Sequence, residues 1–113
     1  MRPLYHPPVS EITVQGILYA LSDPVRVNIL REMMNAQCAQ NCATVSKLAG
    51  EPLAKSSLSQ HFKVLREAGL IRSERKGAEL QNTTRCAEVS EKIGRMIGAI
   101  MSAYEVEIQQ VGE

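Results

Sequence analysis

Apolar side chains at Ile12, Val14, Ile17, Leu18 and Leu21 recur at near-helical spacing and predict a first helix of about three turns from Glu11. Ser22-Asp23-Pro24 interrupts it. The Asp23 carboxylate can cap a following helix, and Pro24 suits a first helical position, where no intrahelical hydrogen bond is lost. The second helix therefore starts at Pro24. Val25/Val27, Ile29/Leu30 and Met33/Met34 form its core stripe, with Arg26, Arg31 and Glu32 turned to solvent. Residues 35–43 are polar and helix-poor, a loop holding Cys38 and Cys42. A short third helix is expected at 44–49, capped by Thr44, ended by Gly50 and followed by Pro52.

From Lys55 onward Leu58, Phe62 and Leu65 lie at i, i+4 and i+7, and Gly69 stops that helix. At about 100° per residue, Ser56, Ser59, Gln60, Lys63 and Glu67 fall opposite the apolar stripe. Short hydrogen-bonding side chains on one face can read base edges in a major groove, and the same pattern also suits an ordinary solvated helix face. His61 sits at the edge of the apolar arc, where packing or a phosphate contact suits it better than catalysis. Residues 70–84 read as two strands around a turn at Lys76-Gly77, a hairpin carrying Arg72, Arg75 and Lys76. Such a tip can lie on a sugar-phosphate backbone or simply be solvated. From about Cys86 to Gln110, Val89, Ile93, Met96/Ile97, Ile100/Met101, Tyr104 and Ile108 mark a long helix. Its stripe is longer than one small domain can cover, which favours a partner chain packed against it and the first helix.

Composition narrows the fold. The chain has 113 residues, one Phe, three Tyr and no Trp, so its core must be aliphatic, and its length suits one domain. Residues 1–10 hold three of the five prolines and no apolar period, and are expected to form an extended or flexible arm, with 11–113 the single domain. No apolar run is long enough to cross a bilayer and the N-terminus lacks the apolar segment of a signal peptide, so the expected location is the cytosol. The net charge of +1 hides segregation: residues 52–85 carry seven bases against three acids, while residues 86–113 carry a surplus of three acids. A basic middle is what a polyanion would meet, or a chance cluster on a solvated surface. Phosphate loops, His-Glu-x-x-His and Gly-x-Ser-x-Gly are absent from the sequence, so no enzyme is expected.

Three helices, a polar-faced fourth, a basic hairpin and a terminal helix form the order of a winged helix-turn-helix, mainly α with about five helices. Ala20-Leu21-Ser22-Asp23-Pro24-Val25-Arg26-Val27-Asn28-Ile29-Leu30 and Leu58-Ser59-Gln60-His61-Phe62-Lys63-Val64-Leu65-Arg66-Glu67-Ala68-Gly69-Leu70-Ile71 resemble the ArsR/SmtB family of bacterial transcriptional repressors. The resemblance spans roughly Ile12 to Thr84. It implies a homodimer on double-stranded operator DNA, with its interface on the first and last helices, at Ile12, Ile17, Ile93, Ile97, Ile100 and Tyr104. It also implies a recognition set of Lys55, Ser56, Ser57, Ser59, Gln60, His61 and Lys63, and backbone contacts from Arg72, Arg75 and Lys76. Ala54 stands where the family often has a capping Ser, which moves the expected helix start to Lys55 or Ser56.

Many such repressors release DNA on binding metal or metalloid ions. The family's Cys-x-Cys is replaced here by Thr44-Val45-Ser46, and residues 86–113 hold neither the His nor the Asp of the family's zinc sites. Cys38, Cys42 and Cys86 remain, as ordinary packed thiols, a redox pair, or three thiolates for arsenite or another soft ion. A short strand before the third helix, lying beside the hairpin, would bring Cys42 towards Cys86. No cofactor is expected beyond such an ion. A winged helix used only for protein–protein contact, its basic face solvated, is the alternative to DNA binding.

Overall fold

Proline, threonine and glycine set where the helices begin and end. The computed structural model describes residues 4–36, 40–41 and 55–111. Thr13 Oγ1 accepts from Gly16 N at 3.0 Å and caps α1 (Val14–Ala20). This helix is shorter than the three turns expected from Glu11, because a 3-10 turn at Val9–Glu11 follows Pro8 and leaves the cap to Thr13. Asp23 Oδ1 accepts from Val25 N at 2.8 Å at the start of α2 (Pro24–Ala36), as its sequence predicts. Val27, Ile29, Leu30 and Met33 of α2 are fully buried. Arg26 is buried as well, contrary to the solvent-facing position expected for it, because its guanidinium satisfies carbonyls at the end of α1.

After α2 come the short strand β1 (Gln40–Asn41), then α3 (Lys55–Glu67), β2 (Ile71–Lys76), β3 (Glu79–Thr84) and α4 (Glu91–Val111). Cys38, Cys42 and the helix expected at 44–49 lie outside the described residues. The sheet order is β1-β3-β2, all antiparallel, with Asn41 opposite Gln81. The short strand expected beside the hairpin is therefore present. Lys76 pairs with Glu79, so the hairpin loop is Gly77-Ala78, one residue beyond the expected turn. Gly77 has φ +66°, the left-handed value that favoured two-residue hairpin turns demand at their first position.

Gly69 joins α3 to the hairpin. Leu70 N donates to Leu65 O and Gly69 N to Arg66 O, at 3.0 and 3.1 Å, which is a Schellman closure with Gly69 at φ +87°. Leu65 and Leu70 make the apolar pair that accompanies such a closure, both fully buried. A Cβ on Gly69 would sit 2.5 Å from the Ile12 side chain, so glycine is needed for space as well as for conformation. The core gathers Ile17, Ala20 and Leu21 of the α1 region, the α2 stripe, Leu58, Phe62 and Leu65 of α3, Ile71 of β2, and Ile97 and Met101 of α4.

The last helix starts at Glu91 and not near Cys86. Glu88 N donates to Arg85 O in a turn, and Ser90 Oγ then accepts from Ile93 N at 3.3 Å as the cap. An ion pair of 2.7 Å between Arg31 and Glu105 ties α4 to α2. No helix among the described residues is long and apolar enough to cross a membrane.

Residues 4–8 are extended but tied down. Ser73 N on the edge strand β2 donates to His6 Nε2 at 2.9 Å, and Arg85 Nη1 donates to Pro7 O at 2.8 Å. Pro7 is buried. Burial first, then the charges of Arg72, Arg66 and Arg85, hold His6 below its ordinary value of 6.5.

Two outcomes are expected. Gly69→Ala should lower the free energy of urea unfolding by about 1–3 kcal/mol from backbone strain, with the Ile12 clash added. Gly77→Ala, with nothing within 4 Å of its Cβ, should cost less, and an equal loss would contradict the role given to Ile12. For His6, the neutral ring is the acceptor in the folded chain, so the unfolded chain binds more protons once pH drops below 6.5. The stability advantage of the wild type over His6→Ala, measured by thermal unfolding, should be full near pH 7 and shrink as pH falls through the lowered folded value. An advantage that grows on acidification would contradict the assignment.

Candidate nucleic-acid interface

Helical periodicity gives α3 two unlike sides. Leu58, Phe62 and Leu65 enter the core, while Ser56, Ser57, Ser59, Gln60 and Lys63 are exposed. Lys55 opens the helix. Hydroxyl and amide groups on the first two turns present both donors and acceptors, the mixture that base edges and phosphates can use. None of these exposed side chains is drawn into an ion pair among the described residues.

The wing is held against this helix by polar contacts in a dry place. Ser73 Oγ donates to Asn82 Oδ1 at 2.6 Å across the hairpin, and Arg66 Nη1 of α3 donates to Ser73 Oγ at 3.1 Å. Asn82 is fully buried and Ser73 nearly so. Directly below, Arg85 N donates to Leu70 O, and the Arg85 side chain, 2% exposed, meets Pro7 O and the Glu88 carboxylate. Two of the bases counted in the positive middle of the chain, Arg66 and Arg85, are thus structural.

Arg72 is exposed, yet its guanidinium lies 2.8 Å from Glu88 Oε1. Arg72 first, then Arg85, keeps the Glu88 carboxyl below the usual carboxylate range against the opposing effect of its burial. Arg75 and Lys76 at the tip are exposed and carry no ion pair to a described residue. Along β2 side chains alternate, so Arg72, Glu74 and Lys76 share one face and Arg75 takes the other. Among the described residues of α3 and the hairpin, fewer exposed bases outside ion pairs therefore remain than residue counting implied, namely Lys63 on the helix and Arg75 and Lys76 on the hairpin.

His61 occupies the flank of α3, half-buried, within 3.4 Å of Arg26 Nη1. Sequence reasoning misses this contact because the partners are 35 residues apart and Arg on a helix normally faces water.

Cys86 is half-buried, and burial pushes its thiol above the ordinary value despite a hydrogen bond with Thr84. Among the described residues no group of three His, Cys, Asp or Glu could hold a metal ion. Cys38 and Cys42 fall outside those residues.

Three of the six side chains expected at a dimer interface need correction. Ile12, Ile17 and Ile97 are buried in the chain's own core, because the inward face of α1 and the middle of α4 close over α2 and α3. Ile93, Ile100 and Tyr104 are half-buried. Among the described side chains of these helices, Val14, Leu18, Tyr19 and Val106 are large, apolar and exposed.

A helix-turn-helix domain family model matches residues 21–74, from the end of α1 into β2. No curated protein matches the chain at a significant level. Among solved structures it is similar to NolR from Sinorhizobium fredii, at 26% identity over 92% of this chain and 97% of that one, with a TM-score of 0.62. The transcriptional repressor BigR from Xylella fastidiosa superposes at 21% identity over 80% of this chain and 85% of that one, TM-score 0.62. An ArsR family transcriptional regulator matches at 22% identity over 86% and 90% of the two chains, TM-score 0.58. Together the helix-turn-helix match, the shared order of elements and the wing give this chain a winged helix-turn-helix fold, similar to that of NolR and of the ArsR family regulator.

Proposed function

We propose that the chain is a homodimeric transcriptional repressor that binds double-stranded operator DNA in the bacterial cytosol, as a binding protein and not an enzyme. Helix α3 enters the major groove, where Gln60 and the serines at 56, 57 and 59 meet base edges and phosphates, with Lys55, His61 and Lys63 at its margins. The hairpin lies along the flanking backbone through Arg75 and Lys76, with Arg72 reaching it if it leaves Glu88. The observation that carries this reading is an exposed hydroxyl- and amide-rich helix face fixed to a basic wing by the Arg66, Ser73 and Asn82 contacts. BigR, which shares the fold, is described as a repressor.

Dimerisation is supported by the exposed Val14, Leu18, Tyr19 and Val106, which give α1 and α4 apolar surface that a second copy would cover, with Ile93, Ile100 and Tyr104 at its edge. The releasing signal is proposed to act through the cysteines, by thiol oxidation or a soft ion such as arsenite. The raised thiol of Cys86 makes it a poor initiator of oxidation, which leaves Cys38 or Cys42 to react first. Anisotropy of the protein on DNA, recorded with and without a thiol oxidant, reads that signal.

In the same assay, Gln60→Ala should relax discrimination at one base pair, by about 1–3 kcal/mol. Arg75→Ala should weaken binding to all sequences alike and reduce the salt slope by about 1. DNA affinity untouched by both changes, or insensitive to salt, would contradict the reading and favour a protein–protein module. Leu18→Glu should convert the dimer to a monomer in sedimentation, and an unchanged mass would remove α1 from the interface.

A further inference from the structure

Arg26 uses every nitrogen of its guanidinium. Nε donates to Ala20 O at 2.7 Å and Nη2 to Tyr19 O at 3.4 Å, both carbonyls at the C-terminal end of α1. The Asp23 carboxylate lies 3.7 Å from Nη1 and the Tyr19 ring centroid 5.6 Å from Cζ, so the charge is compensated on two sides. Nη1 also faces His61 Nδ1 at 3.4 Å. An arginine at neutral pH has only donors, so a hydrogen bond in this contact requires Nδ1 as the acceptor, which leaves the ring N–H on Nε2. The side chain of Arg26 is itself anchored to the end of α1.

We propose that Arg26 is a positioning residue that holds His61 as an Nε2–H donor to a DNA phosphate. This rests on the DNA-binding reading above and deepens it. His61 directly follows Gln60 and sits on the flank of α3 between the core stripe and the polar face, half-buried. That flank borders the groove wall when the polar face enters the groove, so its donor meets backbone oxygens and not base edges. Arg26, buried beneath, cannot reach DNA itself.

The test has two parts. Long-range nitrogen–proton NMR of the free, folded protein should show His61 protonated on Nε2 and bare on Nδ1; the opposite tautomer overturns the proposal whatever DNA does. In anisotropy on operator DNA, His61→Gln, whose amide N–H lies near the Nε2 position, should retain most of the affinity. His61→Asn, whose amide lies near Nδ1, should lose about tenfold, the value of one hydrogen bond to a charged group. Arg26→Lys keeps a charge but not the fork, and should cost about tenfold in the wild-type background and little in the His61→Gln background. Equal losses in both backgrounds would make Arg26 merely structural and overturn the proposal. Should Arg26→Lys fail to fold, as judged by circular dichroism, the two His61 variants decide alone, and equal affinities for them overturn it. A wild type that binds no DNA although its His61 carries the Nε2 proton overturns the functional reading itself, and the proposal with it.

Discussion

The hydrogen bond from Ser73 Oγ to Asn82 Oδ1 is the contact on which the geometry of the binding face depends. Both side chains are buried midway along the hairpin, and losing either partner there would cost about 1–3 kcal/mol through the group left unpaired. A slip of one residue would turn Asn82 to solvent and carry Thr83 inward, so the pair sets the hairpin register. Arg66 donates to the same Ser73 oxygen from α3. The helix proposed to enter the groove and the strands proposed to lie beside it are thus joined twice, by the Schellman turn at Gly69 and by this polar cluster.

That arrangement divides the basic residues by task. Arg26, Arg66 and Arg85 are held by hydrogen bonds to carbonyls, hydroxyls or a carboxylate inside the domain, and Arg72 is engaged by Glu88. Among the described residues, Lys63, Arg75 and Lys76 are the exposed cations of the helix and hairpin that carry no ion pair. Structural arginines suit buried positions because a planar guanidinium can satisfy several acceptors at once, whereas the exposed lysines and Arg75 retain the mobility that phosphate contacts use. The arm at residues 4–8 belongs to the first group, since His6 covers an edge amide of β2 and Pro7 completes the shell of Arg85.

Local chemistry makes much of this legible in the amino-acid sequence. Asp23-Pro24 starts a helix for reasons confined to two residues, Leu58, Phe62 and Leu65 share a face by spacing alone, and Gly69 ends a helix where a left-handed residue is required. Contacts between remote segments are not legible in the same way. His6 and Ser73 are 67 residues apart, and nothing in the arm's proline-rich composition names an edge strand as its partner. Arg26 and Arg85 read as solvent-facing or as part of a basic surface because charge type carries no record of distant carbonyls. The interface expectation fails at Ile12, Ile17 and Ile97 for a related reason: an apolar stripe states that a side chain is covered, and not by which chain. At the last helix, apolar spacing runs on through Val89 to Cys86, while the capping hydroxyl of Ser90 decides the start.

The central claim is that α3 and the wing form one preformed body ready to meet DNA. Residual dipolar couplings measured on the free protein for the amides of 55–84 test it most directly. A single alignment tensor fitting helix and hairpin together, unchanged on adding operator DNA, is the predicted result. Separate tensors for the two, or a wing orientation that appears only with DNA, would contradict the claim and assign the coupling between them to the complex instead of the fold.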